Sequence, residues 1–178
     1  MRARAWFAVL GVALGAAPLA AQQPTFRDTL LDKFVGEWTL QGMMRGKETT
    51  HDVSVEWVIA HQYLRIHEVS RDLNADGSPT YEATVYVAWD GTARQYTCVW
   101  LDVYGSITDE SIGRAPAGGK EIAFVFKYHD GSSFHTTFAP GPTLDTWTWR
   151  MDNENATGVR KPFARVTLTR KPPPVPTR

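Results

Sequence analysis

Tyr81-Glu82-Ala83-Thr84-Val85-Tyr86-Val87-Ala88-Trp89-Asp90-Gly91, followed by Tyr96-Thr97-Cys98-Val99-Trp100-Leu101-Asp102, is the stretch that decides the fold. Tyr81, Ala83, Val85, Val87 and Trp89 recur at every second position, and so do Tyr96, Cys98 and Trp100. A period of two belongs to a strand with one buried face. Between the runs stands Asp90-Gly91. Its glycine takes the positive φ of a tight turn, so the two runs read as a β-hairpin. An even-length loop there places Val87 near Tyr96 or Arg94. In either register Ala83 and Val85 share a face with Cys98 and Trp100, and that apolar face is the interior.

The same pattern extends in both directions from this hairpin. Upstream, alternation begins at Trp38 and continues through Val53, Val55, Trp57 and Ile59. A two-residue turn near Ala60-His61 then sets Leu64, Ile66 and Glu68 on the face of Val55 and Trp57. Downstream come Ile122, Phe124, Phe126 and Tyr128, then Phe134 and Phe138, then Trp147, Trp149 and Met151, then Ala164, Val166 and Leu168. Ala75-Asp76-Gly77, His129-Asp130-Gly131, Pro140-Gly141-Pro142 and Asn153 to Gly158 supply the turns. No stretch of helical length separates the strands, so parallel crossovers are excluded. Only Leu30, Leu31 and Phe34, behind a capping Asp28, share a face at helical spacing. A helix so short does not stand alone and is expected to plug one end. A meander of this length leaves two exposed edges, which pairing the last strand with the first removes. The expected fold is all-β: a closed antiparallel up-and-down β-barrel of about 8–10 strands with one short N-terminal helix.

The ends of the chain differ in composition from this middle. Residues 1–21 hold Arg2 and Arg4, an uncharged apolar run from Ala5 to Leu19, and small residues up to Ala21. That order is a secretory signal peptide, and the run is too short and too broken by Gly11, Gly15 and Pro18 for a membrane span. Export places the protein in the periplasm or outside the cell. The barrel domain is expected over 22–171, followed by a disordered proline-rich tail over 172–178. Without its signal the chain keeps 17 basic against 19 acidic residues, a net charge of about −2 that marks no nucleic-acid or lipid surface. Cys98 is the single cysteine, so no intramolecular disulfide forms and packing must supply the stability. Nothing in the pattern fixes an oligomeric state.

Gly36-Glu37-Trp38 on the first strand resembles the Gly-x-Trp signature of the lipocalin-like calycin barrels. That superfamily places a basic residue from the last strand across the tryptophan face, and Arg170 stands where it would do so. Stacking a guanidinium on indole gains about 1 kcal/mol. Within the superfamily, Asp76-Gly77-Ser78-Pro79-Thr80-Tyr81-Glu82 and the hairpin quoted above are similar to an uncharacterised family of bacterial domains, often exported. That family usually has Gly-Tyr-Asp where this chain has Ala88-Trp89-Asp90. The resemblance covers Leu30 to Lys171 and implies a barrel, with no settled activity.

Two carboxylates, Glu68 and Asp102, point inward by the turn-parity argument. A buried carboxylate needs a donor, a water or a ligand; strand ends, with solvent or turn amides, are the other way to satisfy one. Small Gly42, Ala83 and Thr136 beside large aromatics leave room inside. The expected function is binding of a small hydrophobic or amphipathic molecule by Trp57, Glu68, Tyr81, Trp100, Asp102, Phe126, Tyr128 and Trp149, with Trp38 and Arg170 as structural closure. Two other readings compete with it: an envelope interaction module with a filled core, and a barrel enzyme using Glu68 with Tyr81. The chain lacks a nucleophile elbow, a phosphate-cradling loop and a dinucleotide fingerprint. Its five histidines show no close metal-ligand spacing, so neither metal nor cofactor is expected. His67 and His135 read as outward. Since similar small barrels include haem binders, a one-residue register error would turn one of them into an axial-ligand candidate.

Overall fold

The computed structural model describes residues 26–172; the signal peptide read over 1–21 lies outside them, as do residues 173–178 of the tail. Ten antiparallel strands follow one another round a closed barrel: β1 (Gly36–Met44), β2 (Lys47–Val58), β3 (Tyr63–Ser70), β4 (Glu82–Asp90), β5 (Gln95–Asp102), β6 (Ile112–Pro116), β7 (Ile122–Lys127), β8 (Ser133–Pro140), β9 (Thr146–Glu154) and β10 (Arg160–Arg170). Each strand pairs with its sequence neighbours, and β10 returns to β1. Among the described residues no helix is long and apolar enough to cross a membrane.

Loop parity governs which side chains enter. Asp90 caps the β4–β5 loop by accepting the Thr92 and Ala93 amides at 3.0 and 2.9 Å, and Arg94 takes a positive φ to close it. The loop is four residues long, so Val87 pairs with Cys98 rather than with Tyr96 or Arg94. Val85 pairs with Trp100 and Ala83 with Asp102, on the inward face. The β2–β3 loop is likewise four residues, Ile59 to Gln62, rather than two, because Ile59, Ala60 and His61 all adopt positive φ. Both lengths are even, so Leu64, Ile66 and Glu68 still face inward beside Trp57, Val55 and Val53. Strand β6 and a 3-10 turn at Asp109–Ser111 carry no alternation that reveals them. Gly113 interrupts the pattern in β6 because a Cβ there would lie 2.6 Å from the Phe126 ring and 2.9 Å from Cys98 Sγ.

One end is sealed from the sequence upward. Asp28 accepts the Leu30 and Leu31 amides and caps α1 (Thr29–Phe34), a helix of six residues held by what it covers. Leu31 and Phe34 are buried, and Phe34 stacks on Trp147 at 4.5 Å. The helix's last carbonyls, which have no partner within the helix, are taken up by side chains of the barrel. Trp38 Nε1 donates to Phe34 O at 2.9 Å. Arg170 donates to Val35 O and Lys33 O at 2.9 and 3.0 Å while lying 4.1 Å over the Trp38 ring. Trp38 and Arg170 are direct partners across the β1–β10 seam. One cation therefore joins helix, first strand and last strand.

Outside that seam, Asp52 accepts from Arg71 Nη2 at 2.7 Å and from Lys171 Nζ at 2.6 Å. The Arg71 guanidinium holds its carboxyl far below the usual carboxylate range; Lys171 adds to this and slight burial opposes it. A depressed native pKa gives stability that is present above the unfolded value, near pH 4, and lost as pH falls below it. Melting temperature should therefore fall less steeply in Asp52→Asn than in the wild type between about pH 5 and pH 2. Parallel profiles would remove Asp52 from the acid limb.

Candidate functional site

Opposite α1 the barrel is hollow. Apolar side chains fill it only as far as Trp149, whose ring leans on Trp100 at 5.7 Å and on Phe138 at 4.5 Å. Beyond them a cavity of about 650 Å³ opens at the end where Met44, Phe163 and Tyr104 lie. That volume falls within the range of small-molecule pockets. Its apolar wall comprises Met44, Trp100, Phe126, Phe134, Met151 and Phe163, from β1, β5, β7, β8, β9 and β10. Facing it is a polar wall of Thr49 and His51 from β2, Glu68 and Ser70 from β3, and Tyr81 and Asp102 at β4 and β5. Exposed Arg45, Lys47, Glu48 and Asp72 stand at the mouth.

The polar wall is hydrogen-bonded internally. Glu68 is 1% exposed and His51 2%, with His51 Nδ1 to Glu68 Oε1 at 2.5 Å. The other imidazole nitrogen, Nε2, lies 2.7 Å from Thr49 Oγ1. Neither solvent nor a turn amide satisfies Glu68; a histidine does. Trp100 Nε1 donates to Tyr81 Oη at 3.0 Å. Burial, reinforced by the Glu68 charge, pushes the Tyr81 phenol well above its ordinary value, so it stays a proton donor. Asp102 is half-buried at the mouth and accepts the Tyr104 amide at 3.0 Å. Burial likewise raises Tyr128.

Of the eight residues expected to line a ligand site, six surround this cavity: Glu68, Tyr81, Trp100, Asp102, Phe126 and Tyr128. Trp57 does not. Its alternation faces inward, but β2 carries it to the sealed end, where it donates to Asp32 Oδ1 at 2.9 Å and stacks on His61. Trp149 is wholly buried beneath the cavity and donates to Thr136 Oγ1 at 2.6 Å, so it forms packing rather than lining. The small residues also act differently from expectation. Thr136 serves Trp149, and Gly42 admits the β10 backbone, which leaves no space there. The hollow arises at the end of the barrel that no α-helix among the described residues covers.

His51, Thr49, Ser70, Phe134, Met151 and Phe163 enter the site without having been expected there. Extending the alternation of Val55 and Val53 back by two more steps reaches His51 and Thr49, so parity carried that signal. His67 and His135 face outward, toward Glu82 at 2.8 Å and Glu154 at 3.2 Å. Neither reaches the interior as an axial ligand. Cys98 is buried and its thiol is pushed far up by that burial, so it is unreactive. Among the described residues no three His, Cys, Asp or Glu side chains are grouped to hold a metal. A second hollow of about 540 Å³, between the β4–β5 loop and β6, has Arg94, Gln95 and Arg114 on its wall and no buried polar cluster. The chain matches no known family model and no curated protein.

Proposed function

We propose that this barrel is an exported, lipocalin-like binder of a small amphipathic molecule, acting in the periplasm or outside the cell. The observation that carries the reading is the two-sided cavity, aromatic and thioether on one wall, hydroxyl, imidazole and carboxylate on the other. An apolar body on Trp100 and Phe126 would remove hydrocarbon surface from water at about 25 cal/mol per Å². A polar end would meet groups already held in place, so little ordering would be needed on binding. A filled-core interaction module is not favoured by a void of this size.

Titration with N-phenyl-1-naphthylamine, a neutral amphipathic fluorophore, tests the reading. A saturable 1:1 rise in its emission is expected, with quenching of Trp100. Replacing Phe126 by Asp should weaken binding by roughly tenfold or more, since it sets an unpaired charge in the apolar wall. A linear, unsaturable signal, or equal affinity in Phe126→Asp, would reject a ligand site here. Native mass spectrometry of the protein from its natural source would then name the ligand.

A further inference from the structure

Thr49, His51 and Glu68 form a hydroxyl–imidazole–carboxylate chain on the cavity wall, and we propose that it is a nucleophilic relay acting on a small carboxylic ester. The proposal rests on the cavity admitting an amphipathic molecule, as argued above. Thr49 and His51 are two apart on β2 and so project from the same face, while Glu68 on β3 pairs with Val53, diagonal to His51. The carboxylate binds Nδ1 and the hydroxyl binds Nε2, at 2.5 and 2.7 Å. With the Nδ1 proton directed at Glu68, the Nε2 lone pair is left to accept the Thr49 proton. Hydroxyl attack assisted by a base that is itself oriented by a third group requires this order.

A network serving only to satisfy buried groups would end in packed protein. This one ends in a cavity, which Thr49 lines. Glu68, though 1% exposed, uses one carboxylate oxygen on His51, and its other oxygen has no protein donor among the described residues. Across from His51, with ring centroids 6.1 Å apart, Tyr81 accepts the Trp100 N–H, and its own proton has no acceptor among the described residues. It is the available donor for an oxyanion.

In the reaction, Thr49 Oγ1 bonds to the ester carbonyl carbon as its proton passes to His51 Nε2. The carbonyl electron pair moves onto oxygen beside Tyr81. When the pair returns, the bond to the alkoxy oxygen breaks and the alcohol leaves with the proton from Nε2, giving acyl-Thr49. Water then adds to the acyl carbon, its proton goes to Nε2, and the acid departs as Oγ1 recovers that proton. Thr49 and His51 are the catalytic residues, and Glu68 is a positioning residue acting through His51.

The test uses p-nitrophenyl butyrate with the exported chain and reads nitrophenolate release, intact mass and displacement of N-phenyl-1-naphthylamine. The expected result is turnover with a butyryl adduct on Thr49, lost by roughly 100-fold or more in Thr49→Val and retained in Thr49→Ser. Glu68→Gln should lower kcat by roughly 100-fold or more while KM stays within about threefold. Turnover undiminished in Thr49→Val would overturn the relay. So would an ester that displaces the fluorophore without being cleaved, and in that case the binding reading stands. An ester that neither displaces the fluorophore nor is cleaved rejects this substrate class, and absent fluorophore binding rejects the cavity reading itself.

Discussion

Trp38→Ala should lower stability by about 3–5 kcal/mol, the usual cost of truncating a fully buried tryptophan. The indole is 0% exposed, and three separate attachments meet on it. Its N–H serves the Phe34 carbonyl, its edge packs beside the Phe34 ring at 5.9 Å, and its face carries the Arg170 guanidinium. Alanine empties the volume and leaves Phe34 O without its donor. It also removes the surface that orients Arg170, which holds the helix end at Val35 and Lys33. In a domain of this size each kcal/mol is worth about 2–4 °C, so the melting point should drop by roughly 6–20 °C. Trp89 provides the comparison. It is inward by alternation but 36% exposed at the rim, resting on Phe26 at 5.9 Å. Trp89→Ala should cost about 1 kcal/mol. Thermal melts of the two variants side by side decide the matter, and a Trp38→Ala melt within 2 °C of wild type would separate helix docking from the indole.

What the chain reveals in one dimension depends on how local the cause is. Strand faces follow from a period of two and from the parity of loops, and both survive an error of two residues in loop length. The β2–β3 loop has four residues rather than two, yet Glu68 faces inward either way. Short β6 is invisible in the sequence because its two buried positions are the small residues Gly113 and Ala115, the glycine being required by Phe126 and Cys98, which are distant in sequence. The site was harder still. Parity identifies an inward residue but not its height along the axis, and height separates Trp57 at the sealed end from Glu68 at the open one. His51 was legible by parity. Its hydrogen bond to Glu68 was not, because His51 stands opposite Ser70 and reaches Glu68 only diagonally, through the conformation of its side chain.

Gly42→Ala should have a comparable effect on stability, by a different cause. Gly42 lies in β1 opposite Val166 of β10, on the seam that closes the barrel. A Cβ at this position would stand 2.4 Å from Arg165 O and 2.8 Å from Val166 Cα, both backbone atoms of the partner strand. No rotamer change relieves such a contact, so the strands must part or β1 must twist. Gly42 also has φ +148°, a conformation alanine adopts only under strain. Strain and overpacking together are worth about 3–5 kcal/mol. Gly46 separates the two contributions, because it has φ +77° in the β1–β2 turn and nothing within 4 Å of its would-be Cβ. Gly46→Ala should therefore show the backbone cost alone, about 1–2 kcal/mol. Amide hydrogen exchange gives the spatial readout: in Gly42→Ala, β1 and β10 should lose protection ahead of the β4–β5 hairpin, because opening begins where the partner backbone is pushed away. If protection falls uniformly, or if the two glycine variants melt together, the close approach at the seam is not what limits stability. The barrel would then owe its closure to the Trp38–Arg170 junction at the sealed end.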